Sequence, residues 1–386
     1  MQKYLLSLIG LLFISVSFSS QAQAYEMQRL NVSLNFVDDL DFKNLDLAIE
    51  RQLRSFQSRD LSKKITLGSD EYTRADMQKS LVFFKALVEK TMECLKTELR
   101  DVCYSKFNSV MNQNFIVYKP IPLDWEAGHA DNKSLFTAYY SPDLHGKYKK
   151  DSVYKHAIYA YPKEARLRRL TREEIDFDKK LAGRGYELVY VKESLYDIWL
   201  MHVEGGGRVQ IEKEDGTIEM RYLSYKASNK QSFNFLYKYM LRAGMLKPGE
   251  ASVFNQRLYL EQNPDRQREV FASCPSYIFF QFTQDEPLGV NNISLTENRS
   301  LATDYRIYKD YGFLNFIQAQ KPIRQNDRIV MRDFSRFFLN QDTGGAIKGQ
   351  ARSDLYFGYG EYASMVANSL KVLGDQYFLM LDSNLK

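Results

Sequence analysis

The feature that most constrains the fold is a glycine-rich segment that carries two aspartates. It runs Asp342-Thr343-Gly344-Gly345-Ala346-Ile347-Lys348-Gly349-Gln350, and Asp354-Leu355-Tyr356-Phe357-Gly358-Tyr359-Gly360 follows after three further residues. Glycines at this density let the backbone adopt positive φ and let a ligand approach closely. We therefore expect the two carboxylates to lie in an open groove rather than on a solvated helix face, where they suit acid–base chemistry on a sugar chain.

The first residues indicate export. Lys3 precedes an apolar run from Tyr4 to Ser17, and Ala22-Gln23-Ala24 is a small-x-small cleavage pattern. The run is shorter than the ~20 residues that a membrane-spanning helix needs, and no cysteine lies beside the cleavage site to be lipidated. We predict a signal peptide over residues 1–24, cleaved after Ala24, a periplasmic or secreted location, and no integral membrane segment in the mature protein.

Charge and histidine spacing point to no special ligand. The formal net charge of +5 over 386 residues does not indicate nucleic acid; solubility accounts for it, and attraction to an anionic wall or membrane surface is the alternative. The histidines lack metal-ligand spacing; they are His129, His145, His156 and His202. We predict no metal site.

The cysteines leave two interpretations open. Cys94 and Cys103 are close enough in the chain to pair in an oxidising compartment, which would leave Cys274 free. Buried free thiols are an equally good interpretation.

Hydrophobic spacing predicts helices first and strands later. Apolar residues recur at helical spacing over Leu45–Phe56 and Ala75–Phe107. Further predicted helices cover Ser232–Met245 and Pro248–Asn263, and predicted strands cover Ser134–Ser141, Glu187–Val191, Asp197–Val203, Val209–Ile211, Tyr277–Phe282, Ile293–Leu295, Phe313–Phe316, Arg328–Arg332 and Asp375–Leu381. We interpret Gly205–Gly207 as a bulge, or as a place where a ligand passes close to the backbone, and Asp215-Gly216 as a hairpin turn.

Four groups of segments follow one another in a distinctive order. They are Phe136–Pro142, Val203–Val209, Cys274–Phe280 with Pro287–Val290 and Arg299–Asp304, and the opening segment Asp342–Gly360. In this order they resemble the membrane-bound lytic transglycosylase A (MltA) family. The last segment resembles the family's 3D region, for which Asp304, Asp342 and Asp354 are the matching aspartates.

The resemblance implies a mainly β fold with N-terminal helices. Residues 25–140 and 255–386 would form a large double-psi β-barrel domain, with the 3D region at about 275–386. Residues 141–254 would form a smaller inserted β domain, and the substrate groove would lie between the two.

The resemblance also implies a reaction and a partner. Members of the family cleave the bond between N-acetylmuramic acid and N-acetylglucosamine without water, leave a 1,6-anhydro ring and need no cofactor. Glycan strands of peptidoglycan are then the expected partner. A non-catalytic peptidoglycan-binding protein and a hydrolase that uses water are the alternatives.

Asp354 matches the family's catalytic acid, and Asp342 is the candidate helper. A free Asp has a pKa near 3.9, so burial or a neighbouring carboxylate must raise the pKa of Asp354 for it to act as an acid near neutrality. The competing interpretation is that these aspartates only shape loops. Candidate substrate-binding residues are Thr137, Tyr139, Tyr140, Glu204, Gly205, Gly207, Asp304 and Lys348. Strand alternation predicts that one of the two tyrosines is part of the core.

Departures from the family pattern concentrate in the segments that the resemblance predicts to line the substrate groove. Ala138 stands where the family usually has Gly, Glu204-Gly205-Gly206-Gly207 stands where it has Gln-Gly-Ser-Gly, and Lys226–Lys230 stands where it has a Gly-Gln-Asn-Gly-type run. Losing a hydrogen-bond donor to a buried polar ligand group costs about 1–3 kcal/mol. We therefore expect altered glycan specificity, with a negative charge on Glu204 favouring a less anionic strand.

Overall fold

The computed structural model describes residues 23–284, 287–326 and 328–382. Residues 1–22, which make up most of the predicted signal peptide, lie outside this part of the chain. Within the described ranges, no helix combines the length and the apolar character needed to cross a bilayer.

The described residues contain both helices and strands. The helices are α1 (Leu45–Phe56), α2 (Arg74–Thr97), α3 (Arg100–Asn114), α4 (Arg172–Asp176), α5 (Leu195–Glu204), α6 (Leu236–Arg242), α7 (Val253–Gln262), α8 (Gln267–Ala272) and α9 (Gly360–Ser369). The strands are β1 (Gln23–Tyr25), β2 (Met27–Leu30), β3 (Lys64–Leu67), β4 (Asp70–Thr73), β5 (Phe115–Pro120), β6 (Ser134–Ser141), β7 (Asp143–Lys147), β8 (His156–Tyr159), β9 (Glu187–Val191), β10 (Gly206–Glu212), β11 (Ile218–Ser228), β12 (Ile278–Thr283), β13 (Ser300–Thr303), β14 (Leu314–Gln325), β15 (Arg328–Thr343), β16 (Arg352–Tyr359) and β17 (Lys371–Leu381).

The largest sheet closes into a barrel. Its strand order is β14-β15-β13-β16-β6-β17-β5-β2, and β14 also pairs with β17. Among the described residues this second pairing closes a ring of six strands, while β5 and β2 extend beyond it. The prediction of a mainly β fold built around a barrel is confirmed.

The N-terminal helices pack on the barrel. The predicted helix Leu45–Phe56 is confirmed as α1. The predicted helix Ala75–Phe107 is interrupted after Thr97, so that α2 and α3 form an antiparallel pair. A capping box starts α2, in which Thr73 accepts a hydrogen bond from the Asp76 backbone and Asp76 accepts one from the Thr73 backbone.

A disulfide between Cys94 and Cys103 joins α2 to α3. Their Cα atoms are 5.7 Å apart, and Cys274 is a buried free thiol. We expect the double variant Cys94→Ser/Cys103→Ser to lose about 2–3 kcal/mol of free energy of unfolding, because the unfolded chain regains the entropy of a loop of about ten residues. Urea unfolding with and without a reducing agent measures this, and the reducing agent should destabilise the wild type but not the double variant. Equal stability of oxidised wild type and double variant would contradict the prediction.

A second sheet forms within the chain between two barrel strands, β6 and β13. Its order is β12-β11-β10-β7-β9-β8, and we call residues 142–284 the insert. The predicted turn at Asp215-Gly216 is confirmed, since Glu212 pairs with Ile218 across it. Because β12 pairs with β11, and because Leu260 and Val270 from α7 and α8 pack against α5, the insert extends to about residue 284 rather than ending at 254.

The prediction of a strand over Asp197–Val203 is wrong, because this segment belongs to α5. Ser194 and Asp197 form a capping box at its start, and Gly205 ends it with a left-handed φ of 80°. The helix is buried on most sides, as Ile198, Trp199 and Met201 show. Gly205 is thus a helix terminus, and the ladder between β10 and β11 runs without a bulge at the glycines.

A buried ion pair connects the N-terminal segment to the barrel. Arg299 and Asp38 are both fully buried, and Arg299 Nη1 donates to Asp38 Oδ2 at 2.6 Å. The same carboxylate accepts hydrogen bonds from the backbone N–H groups of Leu40, Phe42 and Phe337. Asp38 therefore joins its own turn to β15 and to the residue that precedes β13.

Candidate active site

The predicted acids lie on one row across the barrel sheet. Strand register pairs Thr137 of β6 with Asp354 of β16, Asp354 with Ala302 of β13, and Ala302 with Asp342 of β15. Residues paired in this way point to the same face of a sheet. With strands about 4.8 Å apart, the Cα atoms of Asp354 and Asp342 are about 10 Å from each other. We call Thr137, Asp354, Ala302 and Asp342 the site row.

The opposite face of the same strands is apolar. Phe136, Leu301, Leu355 and Phe357 are buried there in a cluster that includes Val366 of α9. Strand alternation therefore directs Thr137 of β6 and Asp354 of β16 to the face of the site row, while apolar neighbours anchor the strands on the other face.

Asp354 is partly buried and held by one hydrogen bond. Thr137 Oγ1 donates to Asp354 Oδ1 at 2.5 Å. Burial raises the pKa of the Asp354 carboxyl above its usual range, and the Thr137 hydrogen bond and the positive charge of Arg352 oppose this rise. Burial supplies the raised pKa expected of an acid, and no carboxylate neighbour is needed for it.

Asp342 is linked to Tyr139. The Tyr139 hydroxyl donates to Asp342 Oδ2 at 2.8 Å. Burial raises the pKa of Asp342 to about 6, with a smaller contribution from the charge of Asp354, while the Tyr139 hydrogen bond lowers it. Burial also raises the pKa of Tyr139 well above 10, so this hydroxyl stays protonated and remains a donor.

The two adjacent tyrosines have different surroundings. Tyr139 lies on the site face, with its ring 5.1 Å from that of Tyr356. Tyr140 packs against the apolar cluster on the opposite face, and its hydroxyl has Ser364 of α9 as a hydrogen-bond partner. The prediction that alternation separates the pair agrees with this arrangement, in which Tyr140 is the core-side residue.

Glu204 brings a third carboxyl to the site from the insert. It is the last residue of α5, and its carboxyl accepts a hydrogen bond from the Tyr140 backbone N–H. Burial, aided by the charge of Asp354, raises the pKa of Glu204 to about 8. The expectation of a negative charge here therefore needs correction: at pH 7 the carboxyl is mostly protonated, and like the amide of Gln it offers a hydrogen-bond donor as well as an acceptor.

Glu204→Gln is expected to stabilise the protein at pH 8 by about 2–4 kcal/mol and to have little effect near pH 4.5. Between the unfolded pKa near 4.3 and the folded pKa of about 8, the folded state binds one proton more than the unfolded chain. The free energy of unfolding of the wild type therefore falls as the pH rises through this window, and glutamine removes that loss.

Urea unfolding at pH 5 and pH 8 measures this difference. Glu71→Gln, at an exposed position on β4, is the matched control and should follow the wild type. A Glu204→Gln variant with the pH dependence of the wild type would refute the assignment of a buried, protonated carboxyl.

Asp304 lies beneath the glycine-rich loop, to which it is hydrogen-bonded. It is fully buried, and its carboxylate accepts hydrogen bonds from the side chain of Arg306 and from the Gly349 backbone N–H at 3.0 Å. These bonds lower the pKa of Asp304 despite its burial. We therefore reassign Asp304 from substrate contact to positioning of the loop.

Gly349 is held between two carboxylates. Its φ is 113°, and a Cβ there would lie 2.2 Å from Glu126 Oε1, so only glycine fits. Glu126 in turn accepts a hydrogen bond from the Ala351 backbone N–H at 2.8 Å. Asp304 and Glu126 thus fix the backbone that leads into β16 and Asp354, and sequence analysis gave no signal for Glu126.

Three predicted site residues remain: Gly205 and Gly207 have structural roles, and Lys348 is exposed. Gly207 has a packing reason to be small, because a Cβ there would lie 2.9 Å from the Pro142 carbonyl oxygen, and Gly205 has the helix-end role given above. Lys348 is exposed on the loop. None of the three has a contact with the site row that the structure describes.

Arg352 is a site residue that sequence analysis missed. It lies two residues before Asp354 in β16, so both side chains point to the same face. Its charge acts on the Asp354 carboxyl. The period-two spacing within a strand was the available signal, but no strand was predicted over Arg352–Tyr359.

Comparisons with known proteins point to one family. A family model described as the MltA specific insert domain matches residues 135–281, and one described as the 3D domain matches residues 299–379. The chain is 30% identical over 260 residues to the membrane-bound lytic murein transglycosylase A of Vibrio cholerae, an alignment that covers 67% of this chain and 68% of that protein. It is 29% identical over 244 residues to the Escherichia coli protein of the same name, covering 62% of this chain and 64% of that protein.

Solved structures show the same fold. A membrane-bound lytic murein transglycosylase from Agrobacterium tumefaciens has a TM-score of 0.67 and 24% identity, covering 92% of this chain and 98% of that one. E. coli MltA, in a crystal structure described as having bound chitohexaose, has a TM-score of 0.66 and 20% identity, covering 92% and 94%.

Proposed function

Since the chain belongs to the membrane-bound lytic murein transglycosylase A family, we propose that it cleaves peptidoglycan between N-acetylmuramic acid and N-acetylglucosamine and closes a 1,6-anhydro ring on the muramoyl residue. The family assignment confirms the resemblance inferred from the four groups of sequence segments. Murein is peptidoglycan, and the relatives are named for lytic transglycosylase activity.

One observation carries the choice of Asp354 as the acid and base. Its carboxyl combines a pKa raised by burial with a hydroxyl partner, Thr137, which holds one oxygen in place. Asp342 shares these two features, but of the two aspartates it is Asp354 whose charge acts on Glu204 of the insert, which supports Asp354 as the acid on the side of the row that faces the insert. The second oxygen can face a substrate. A carboxyl of this kind retains its proton nearer to neutrality than a solvated Asp and can donate it to a leaving group.

The proposed reaction needs no water and no second nucleophile. Asp354 donates its proton to the glycosidic oxygen as the bond from that oxygen to C1 of the muramoyl residue breaks. The C6 hydroxyl of the same sugar then bonds to C1, and the Asp354 carboxylate accepts the hydroxyl proton. One proton leaves Asp354 and one returns, so a single carboxyl completes the cycle, in contrast to the two carboxyls of ordinary glycosidases.

Asp342 and Tyr139 form a second polar group in the proposed site. The hydrogen bond between them fixes a polar pair about two strands from Asp354. Partial ionisation of Asp342 near its pKa of about 6 gives the groove a negative charge that favours the positive character developing at C1.

A location outside the cytoplasm fits this substrate. Peptidoglycan strands are extracytoplasmic, and a disulfide such as Cys94–Cys103 persists in oxidising compartments. We therefore propose a periplasmic or secreted protein.

Product analysis tests the proposal. Purified sacculi are digested with the wild type, and the soluble products are examined by mass spectrometry. Products that end in an anhydro-muramoyl residue support the proposal. Products with reducing ends would indicate hydrolysis by water, and sacculus binding without release of products would indicate the non-catalytic alternative; either result would reject it.

A further inference from the structure

Arg352 is a cation on the site face of β16. Strand register pairs it with Leu135 of β6, two residues along the strands from the pairing of Asp354 with Thr137. The side chain is partly buried, and burial lowers the pKa of the guanidinium while the charge of Asp354 opposes this. Arg352 thus carries a positive charge beside the proposed acid.

No carboxylate of the described residues pairs with Arg352. Arg352 Nη1 donates to the Ser353 carbonyl oxygen at 3.1 Å. Two more deeply buried arginines do have such partners: Arg74 pairs with Asp310 at 2.6 Å and Arg336 with Asp39 at 2.7 Å. A guanidinium has five N–H donors, so most donors of Arg352 are left for a ligand.

A partly desolvated cation with unused donors favours an anionic ligand. Arginine recognises carboxylates through paired, charge-assisted hydrogen bonds. The muramoyl residue carries a lactyl side arm on C3. Its carboxyl is free when the peptide stem has been removed, and otherwise it is linked to a stem that has carboxylates of its own.

Resting on the function proposed above, we propose that Arg352 is a specificity-determining residue that binds a carboxylate on the lactyl or peptide side arm of the muramoyl residue. Bound there, the side-arm charge would offset the positive charge of Arg352, which in the free protein lowers the pKa of Asp354. When a strand occupies this subsite, the Asp354 carboxyl therefore binds its proton more tightly than it does in the free protein.

The test measures binding in an Asp354→Asn background, which prevents turnover. The ligands are peptide-bearing glycan strands, strands stripped of peptide by an amidase, stripped strands whose carboxyls are converted to methylamides, and chitohexaose. Arg352→Gln is compared with Arg352→Lys, which keeps the charge. Lys90→Gln is the matched control, since it removes one positive charge from the exposed face of α2.

We expect Arg352→Gln to raise Kd by about 10- to 100-fold for strands that bear the recognised carboxylate, and Arg352→Lys to recover part of the loss. The Kd for methylamide strands and for chitohexaose should change less than about two-fold, and Lys90→Gln should match its parent. A loss restricted to stripped strands identifies the lactyl carboxylate, and a loss restricted to peptide-bearing strands identifies the stem.

An equal loss of affinity for charged and methylamide strands would overturn the proposal, because Arg352 would then affect binding without recognising a carboxylate. Unchanged Kd for every ligand would overturn it as well. Thermal unfolding of each variant shows whether it is folded. The binding result does not depend on the products formed by the wild type, so failure of the proposed reaction and failure of this subsite are distinguishable.

Discussion

Asp354→Asn is expected to lower the formation of anhydro-muramoyl products by about 10³- to 10⁴-fold, near the upper end of what one general acid or base contributes. The reason is that the same carboxyl serves both proton transfers, and an amide supports neither. Asn keeps the size of the side chain and can still accept the hydrogen bond from Thr137, so the sheet around it should be undisturbed. Mass spectrometry of sacculus digests, with time courses for wild type and variant, measures the loss.

The matched control is Asp342→Asn, which makes the same chemical change two strands away on the site row. We expect a smaller loss, of about ten-fold, because Asp342 acts through charge and through Tyr139 rather than through proton transfer. Strand binding by Asp354→Asn should resemble that of the wild type. Full activity of Asp354→Asn, or equal losses in the two variants, would remove Asp354 from its proposed role.

Arg299→Met is expected to lower the free energy of unfolding by about 3–5 kcal/mol, the range for removing one partner of a buried ion pair. Asp38 would remain as a buried carboxylate with its three backbone donors and no counter-ion. Arg299 also donates to the carbonyl oxygens of Lys43 and Phe337, which would lose these bonds. Urea unfolding monitored by circular dichroism measures the change.

Lys96→Met is the control for this prediction. Lys96 pairs with Glu93 on α2 at 2.5 Å, but the two side chains are 64% and 72% exposed, and exposed pairs contribute about 0–1 kcal/mol. If both variants lost less than about 1 kcal/mol of free energy of unfolding, the buried Asp38–Arg299 pair would stabilise the fold no more than an exposed pair does.

Local sequence information was sufficient where a single element has a clear period and clear ends. The helix Leu45–Phe56 has its apolar residues on one face, and the turn at Asp215-Gly216 combines residues that favour a tight hairpin. The resemblance to the MltA family added what periodicity does not contain, namely a barrel domain formed by two separate segments of the chain and a smaller domain inserted between them.

The errors arose where tertiary contacts decide the structure. The apolar run in α5 is buried on most sides, so it lacks the polar face that distinguishes a helix from a strand by periodicity. The boundary at 254 failed because β12 returns to pair with β11, a contact between residues far apart in the chain. Ile293–Leu295 contributes only an isolated bridge, between Leu288 and Ser294.

The sequence shows which residue types occur at the site, but it does not show whether their side chains are charged in the fold. A solvated Glu side chain is charged at pH 7, but the carboxyl of Glu204 is mostly protonated in the fold, because burial and the charge of Asp354 raise its pKa. Asp304 looks like a groove residue by its motif, yet its acceptors are used by Arg306 and Gly349. Both outcomes depend on burial, which a linear motif does not specify.

The closure of the barrel has a consequence for the order of folding. β17 pairs with β5, β6 and β14, and Lys119 bonds to Asp375 across 256 positions of the chain. Long loops of this kind close slowly, whereas the insert is built from strands nearer to one another in sequence. We therefore expect the insert to form early and the barrel late. A chain interrupted before β17 would have a folded insert, with α5 and Glu204, but β6 and β14 would lack the strand that joins them, and the sheet that carries Asp354 and Asp342 would stay open.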